Sequence, residues 1–177
     1  MVKPKISIIA AIGKNRELGK DNKLLWNIPE DFKRFKELTT GHVVIMGRKT
    51  YESLPEKFRP LPNRVNVVIT RNVNYKTKGI IVYSSLEEAL KNLESKIQNS
   101  ELSILNSKFK DEVFIIGGAS IYAQGIKYAD KLYLTLIDKT YSDADAFFPE
   151  YGEFGKVILE ESKVQGDLKY KFVELIK

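Results

Sequence analysis

The run Glu112-Val113-Phe114-Ile115-Ile116-Gly117-Gly118 sets the architecture. Four successive apolar residues, three of them β-branched, read as a strand buried on both faces, the pattern of a parallel sheet. The two glycines let the backbone turn tightly or approach a ligand closely. The pattern beyond them, Ser120–Tyr128, is helical, so free N–H groups at its start are available to an anion. The same succession recurs at Val43–Met46, followed by Gly47-Arg48-Lys49-Thr50 and a short helix over Lys49–Leu54.

Outward from these two units, buried strands are expected at Ile6–Ile12, Val65–Thr70, Gly79–Tyr83 and Lys131–Asp138. Helices are expected at Pro29–Thr39, with proline early in it, and at Leu86–Ile97. Ser85 and Glu88 have the spacing of a capping box before the second. Pro55–Asn63 is a proline-bearing loop, and Asn99–Lys110 reads equally as helix or loop. Two late strands, Lys156–Ser162 and Lys169–Ile176, follow one another with no helix between them, which makes them an antiparallel hairpin on one edge. The expectation is one α/β domain over 1–177. It has an eight-stranded, mostly parallel sheet with an antiparallel C-terminal hairpin and four flanking helices.

Composition narrows the chemistry. The chain has 177 residues, 43% of them hydrophobic, with no Cys and one His, His42. Thiolate metal sites, disulfide scaffolds and His clusters are excluded, and no metal is expected. His42, just before a strand, reads as a turn residue. No run approaches the roughly 20 apolar residues that span a bilayer. The basic start and short apolar run of residues 1–12 superficially match a signal peptide, but no small-residue cleavage site follows, and the run reads as strand. A soluble, cytoplasmic protein is expected. The net charge of +6 comes mostly from scattered Lys. Without a basic tract interleaved with aromatics, it reads as a solvated surface, and no nucleic acid is expected.

In an open parallel sheet, ligands bind beyond the C-terminal strand ends. Gly13, Gly47-Arg48, Thr70-Arg71 and Gly117-Gly118 all stand at such ends and should share one rim. On the helix starting at Pro29, with Asp31 set at 0°, Phe35 falls at about 40°, Leu38 at about 340°, Thr39 at about 80° and Phe32 at about 100°. Asp31 therefore sits inside the apolar stripe. A helix-dipole role alone does not explain that face, since Glu30 could serve the dipole from solvent. A carboxylate among phenylalanines needs a strong partner or a raised pKa, both marks of functional sites. Arg64 and Arg71 flank a strand and can fork carboxylates or phosphates; each reads equally as a surface arginine. Gly13–Leu25, long and polar beyond a strand end, is a candidate lid or a plain connection. Trp26, the only Trp, could be core filling.

In order, these pieces resemble dihydrofolate reductase. The carrying strings are Ile9-Ala10-Ala11, Leu18-Gly19, Leu25-Trp26-Asn27-Ile28-Pro29-Glu30-Asp31 and Val44-Ile45-Met46-Gly47-Arg48-Lys49-Thr50-Tyr51-Glu52-Ser53. Pro60-Leu61-Pro62-Asn63-Arg64, Ile116-Gly117-Gly118, Leu132-Tyr133-Leu134-Thr135 and Asp145-Ala146-Phe147-Phe148-Pro149 complete them over almost the whole chain.

The resemblance implies that family's fold, NADPH as cofactor and dihydrofolate as substrate, reduced to tetrahydrofolate by a monomer. It gives Asp31 the pterin's amino group and ring N–H, with Thr135 behind it and Trp26 holding a water nearby. Ile9, Ala11, Phe32, Phe35, Leu54, Leu61, Ile116 and Tyr122 would line the substrate pocket, and Arg64 would clamp the glutamate α-carboxylate. For the cofactor it implies Ala11, Ile12, Leu18 and Gly19 along the nicotinamide. The phosphates would lie on Gly47, Arg48, Lys49 and Thr50 and on Ile116, Gly117, Gly118, Ala119, Ser120, Ile121, Tyr122 and Gln124. Thr70 and Arg71 would meet the adenosine 2′-phosphate. Gly13–Leu25 becomes the lid, with Leu24 nearest the nicotinamide, and the Gly117–Gly118 peptide is expected to be cis. No fused thymidylate synthase is expected.

Three positions depart from the pattern. Leu25 replaces a common Pro, Lys49 a His, and Ser120 an Arg that some members place on the adenosine phosphate. Pro55–Pro60 and Asn99–Lys110 look longer than in compact bacterial members. Two other readings stay open: a pyrimidine reductase of the riboflavin pathway, which shares the fold, and a non-enzymatic basic α/β binding module. The first should lack the Trp26-to-Asp31 spacing and Arg64. The second gives Asp31 no reason to face the apolar side.

Overall fold

Alternation along β1 (Lys5–Ile12) shows how the molecule is layered. Successive strand residues face opposite ways, so a strand buried throughout must be covered on both sides. Ile8 belongs to one buried cluster with Val67, Ile115, Leu132 and Leu134, and Ile9 to a second with Val44, Met46, Phe114 and Tyr133. The structure, a computed structural model, describes residues 3–99 and 112–177.

The elements follow in order: β2 (Glu17–Lys20), β3 (Lys23–Leu24), α1 (Pro29–Thr39), β4 (Val43–Gly47), α2 (Arg48–Ser53), β5 (Val65–Ile69), β6 (Ile80–Tyr83), α3 (Leu86–Gln98), β7 (Glu112–Gly117), α4 (Ala119–Gly125), β8 (Lys131–Ile137), β9 (Ala146–Phe147), β10 (Lys156–Gln165) and β11 (Leu168–Ile176). The eight-stranded sheet has the order β10-β11-β8-β1-β7-β4-β5-β6. β11 runs antiparallel to both β8 and β10, and every other pairing in this sheet is parallel. The expected α/β architecture, hairpin edge included, is what folds. Leu86, Ala89 and Leu93 of α3 and Ile121 of α4 cover one face. Phe35 and Leu38 of α1 cover part of the other.

Some boundaries differ for identifiable reasons. α4 stops at Gly125 rather than running to Tyr128. A Cβ at Gly125 would stand 2.6 Å from Ile115 Cδ1, so close packing on β7 selects glycine there. The Ser85 cap forms, its hydroxyl accepting from the Glu88 N–H at 3.1 Å, and the Glu88 carboxylate also accepts from the Ser84 N–H at 3.0 Å and hydroxyl at 2.6 Å. Residues 13–25 are not a plain loop. β2 and β3 pair there, and β2 also pairs with β9 in a separate three-stranded sheet. The 99–110 segment lies, Asn99 apart, outside the described residues. His42 stands in the turn before β4 as expected, but it is buried, its ring edge-on to Phe114 at 5.1 Å.

Phe114 is 1% exposed, and its ring centroid lies 5.6 Å from that of Tyr133. Phe114→Ala should cost about 3–5 kcal/mol of unfolding free energy, the range for a truncated core phenylalanine. Urea denaturation with an unchanged slope is the measurement.

Candidate active site

Asp31 stands in the first turn of α1, half-buried, where the helix start crosses the end of β8. Ile28 precedes the helix with extended backbone and gives no side-chain cap, so this turn is held by tertiary contacts. The Thr135 hydroxyl, 2% exposed, donates to Asp31 Oδ1 at 2.5 Å. Burial pushes the Asp31 carboxyl above its ordinary 3.8, while the Thr135 hydrogen bond and the nearby Arg34 charge pull it back. Ala11 on β1 and Phe172 on β11 flank Thr135 in register.

Beyond Asp31 lie the β1 and β7 residues expected to line a substrate pocket. Ile9 is buried, Ala11 and Ile116 half-buried. Tyr122, 5% exposed, donates its hydroxyl to the Ile9 carbonyl at 2.8 Å, and burial raises its pKa strongly. Opposite lie Phe35, Leu54 and Leu61 of one cluster, and Phe32, 48% exposed at the mouth. Arg64 closes that end. It is 7% exposed, donating from Nε to the Pro62 carbonyl at 2.9 Å and from Nη1 to Thr39 Oγ1 at 3.1 Å. Its ring neighbour is Phe35, and no carboxylate pairs with it among the described residues.

The two glycine ends meet as expected. Met46 is in register with Gly117, the Gly117–Gly118 peptide is cis, and Gly117 has φ 129°. A Cβ on Gly118 would come within 3.0 Å of Thr50 Oγ1, and one on Gly47 within 3.2 Å of Ile121 Cγ1. Side chains would fill this cradle, which opens between the first amides of α2 and α4. Arg48 is half-buried at its edge, Lys49 exposed. Ser120 is exposed and hydrogen-bonded by Gln124 Nε2 at 3.2 Å. Ala119 is half-buried, Ile121 and Ile12 buried. Farther along, Thr70 donates its N–H to the Tyr83 carbonyl, and Arg71 is exposed. A cavity of about 440 Å³ lies at this sheet edge, lined in part by Thr70, Tyr83 and Ser84. It is remote from Asp31, since β6 is five strand spacings, about 24 Å, from β8.

Over the other side stand Leu18, half-buried, Gly19, and Leu24, which is 53% exposed and in register with Gly19. Trp26 is buried against Tyr141 at 5.4 Å, and its Nε1 has no hydrogen-bond partner among the described residues. A buried indole N–H without a partner suits a bridging water or ligand.

A protein-family model described as dihydrofolate reductase matches residues 5–177. The chain belongs to the dihydrofolate reductase family. Dihydrofolate reductase type 3 of Salmonella typhimurium is 40% identical over 167 residues, 94% of this chain and 92% of that protein. The Bacillus subtilis dihydrofolate reductase is 42% identical over 148 residues, 84% of this chain and 77% of its own. Among solved structures, a dihydrofolate reductase from Enterococcus faecalis complexed with NADP(H) and RAB-propyl superimposes with a TM-score of 0.81. It is 28% identical and covers 99% of this chain and 97% of its own.

Three groups around the family's cleft escape sequence reading. Glu30 accepts from the Tyr170 hydroxyl at 2.7 Å and pairs with Lys163 at 3.2 Å. Burial and that carboxylate push the Tyr170 hydroxyl up to about 12. Arg34 pairs with Glu174 at 3.1 Å, and Glu17, at the start of β2, is buried. Only the alternation of Tyr170, Phe172 and Glu174 along one strand face hinted at the first two.

A carboxyl whose pKa is raised on folding binds its proton more tightly in the folded state. Stability therefore falls as pH rises from about the ordinary value of 3.8 through the higher folded value. Asp31→Asn should abolish that slope and melt a few degrees above the unsubstituted protein at pH 7, as read by calorimetry across pH 3–8.

Proposed function

We propose that this chain reduces 7,8-dihydrofolate to tetrahydrofolate with NADPH, and that Asp31 is its orienting and electrostatic group. The observation that carries the reading is one carboxylate, half-buried in an apolar cleft and hydrogen-bonded by Thr135, at the end of a glycine-lined rim. The glycine cradle fits a pyrophosphate, because two helix starts present amides where side chains are absent. When bound, NADPH supplies the hydride, which passes from nicotinamide C4 to pterin C6.

The chain's own residues do the rest. Asp31 holds the pterin's 2-amino group and ring N–H, fixing C6 for transfer and favouring protonation at N5. The proton reaches N5 through water held by Trp26, a role that its buried, unpartnered Nε1 supports. Ile9, Phe32, Phe35, Leu54, Leu61 and Ile116 enclose the flat rings and exclude bulk water. Arg64 clamps the α-carboxylate of the glutamate tail. Gly47–Thr50 and Gly117–Gln124 take the phosphates, Thr70 and Arg71 the 2′-phosphate, and residues 13–25 close over the nicotinamide. The protein acts as a monomer in the cytoplasm, with no nucleic-acid or membrane partner. No described helix is long and apolar enough to cross a membrane.

NADPH consumption with dihydrofolate as the sole acceptor tests the activity, and none at all overturns it. Asp31→Asn should lower turnover at neutral pH about 100-fold or more, the usual weight of a group that assists proton transfer. Full turnover would remove Asp31 from the mechanism. Arg64→Leu should raise KM for dihydrofolate about 10- to 100-fold with little change in kcat, because a charge-assisted hydrogen bond contributes about 1.5–3 kcal/mol.

A further inference from the structure

Glu17 is 1% exposed, and no other acid among the described residues is so deeply buried. Its ligands are amides. Oε2 accepts from the Asn15 N–H at 2.7 Å, and Oε1 from the Tyr141 N–H at 2.9 Å. The neighbouring charges are engaged elsewhere. Lys14 pairs with Asp138 at 2.8 Å, Arg16 donates to the Phe148 carbonyl at 2.6 Å and pairs with Glu150, and Lys139 lies over the Tyr141 ring at 5.2 Å. Burial pushes the Glu17 carboxyl up, but the amide hydrogen bonds outweigh it and hold the group below its ordinary value. The carboxylate thus stays charged throughout the neutral range.

We propose that Glu17 is a positioning residue for the reaction, its carboxylate latching the root of the 13–25 lid to the 138–146 segment. Two connections carry the effect to the cleft. Glu17 starts β2, which pairs with β9 through Glu17 and Phe147 and with β3 through Gly19 and Leu24. Tyr141, whose N–H the carboxylate holds, packs on the Trp26 ring. Backbone bonds from Lys14 to Lys139 and from Asp145 to Gly19, and the Asp21 N–H donated to Asp145 Oδ2 at 2.9 Å, also join these segments, but Glu17 is the buried carboxylate among their contacts and the one that reaches Tyr141 beside Trp26. Gly13 belongs to the same device. A Cβ there would stand 2.5 Å from Glu17 Oε2 and 3.0 Å from the Lys139 carbonyl, so the carboxylate and a side chain at 13 compete for one space. The latch rests on the functional reading above, because its consequence for rate requires the lid to cover the reacting rings.

The test uses Glu17→Gln and Gly13→Ala in the full chain. The first presents an amide N–H₂ to a donor; the second keeps the acid and displaces it. Steady-state kinetics with NADPH and dihydrofolate should show kcat falling about tenfold or more in both, since small misplacement far from the chemistry carries that weight. KM for dihydrofolate should move less than about twofold, because Arg64 and Asp31 are untouched. The protein has one Trp, so intrinsic emission reports Trp26 directly, and it should shift in both variants without added ligand. Unchanged emission and unchanged kcat in Gly13→Ala, or lowered melting temperature alone in Glu17→Gln, would overturn the latch. If Glu17→Gln fails to fold, Gly13→Ala decides the matter alone. A lack of turnover in the unsubstituted protein overturns the functional reading instead, and the emission of the variants still tests the latch.

Discussion

Holding one carboxylate away from water at the mouth of an apolar cleft is the constraint that organises this molecule. Asp31 gains one strong hydrogen bond, from Thr135, and loses part of its hydration. That state is unfavourable unless the helix bearing it is fixed. The fixing comes from the antiparallel edge. On the first turn, Glu30 is gripped by Tyr170 and Lys163 from β11 and β10. One turn later, Arg34 pairs with Glu174 and lies over the Phe172 ring at 4.7 Å. The C-terminal hairpin therefore works as the clamp on the carboxylate's helix, which explains why a parallel sheet carries it beside β8.

Much of this was legible in the chain because it depends on local pattern. Each of the two strand-glycine-helix units lies within one short segment, so β-branched runs and glycines reveal it. Asp31 was found from angular position alone, since a period of 3.6 residues places it with Phe35 and Leu38. What stayed hidden depends on partners remote in sequence. β2 and β9 are joined by pairing between Glu17 and Phe147, and a polar stretch with glycines gives no sign of a strand whose partner lies so far away. The burial of His42 against Phe114 is likewise decided by a strand that joins the sheet much later. Glu17 looked like one more acid of a solvated loop, because nothing local announces two amides converging on it.

Asp31 and Glu17 use charge in opposite ways. Asp31 is pushed toward its neutral form, whereas Glu17, though less exposed to solvent, is kept ionised. Burial dominates at Asp31, whereas hydrogen-bond donors dominate at Glu17. A hydroxyl gives Asp31 one hydrogen bond, while two backbone amides converge on Glu17, and backbone amides carry no side-chain entropy to lose. A group meant to exchange hydrogen bonds with a ligand has to keep acceptor capacity open. A group meant to hold two chain segments together does not.

The same reasoning distinguishes the buried cations. Lys131, 8% exposed, has Glu174 at 2.6 Å and the Tyr133 ring at 4.1 Å, so its charge is answered within the fold. Arg64, 7% exposed, has a carbonyl, a hydroxyl and an aromatic ring, and burial lowers its pKa. Those partners satisfy hydrogen bonds without cancelling charge. Leaving a cation so poorly compensated costs stability unless an anion arrives to complete it. An arginine is suited to that position because its planar fork stays ionised where a lysine would lose its proton, and it meets a carboxylate with two parallel hydrogen bonds. Arg64 is bonded to Thr39 at the last residue of α1 and Asp31 stands in its first turn, so in the proposed reaction the two would meet opposite ends of the substrate. A ligand that satisfies both must carry a hydrogen-bond-donating heterocycle at one end and a carboxylate at the other, which is the layout of a folate.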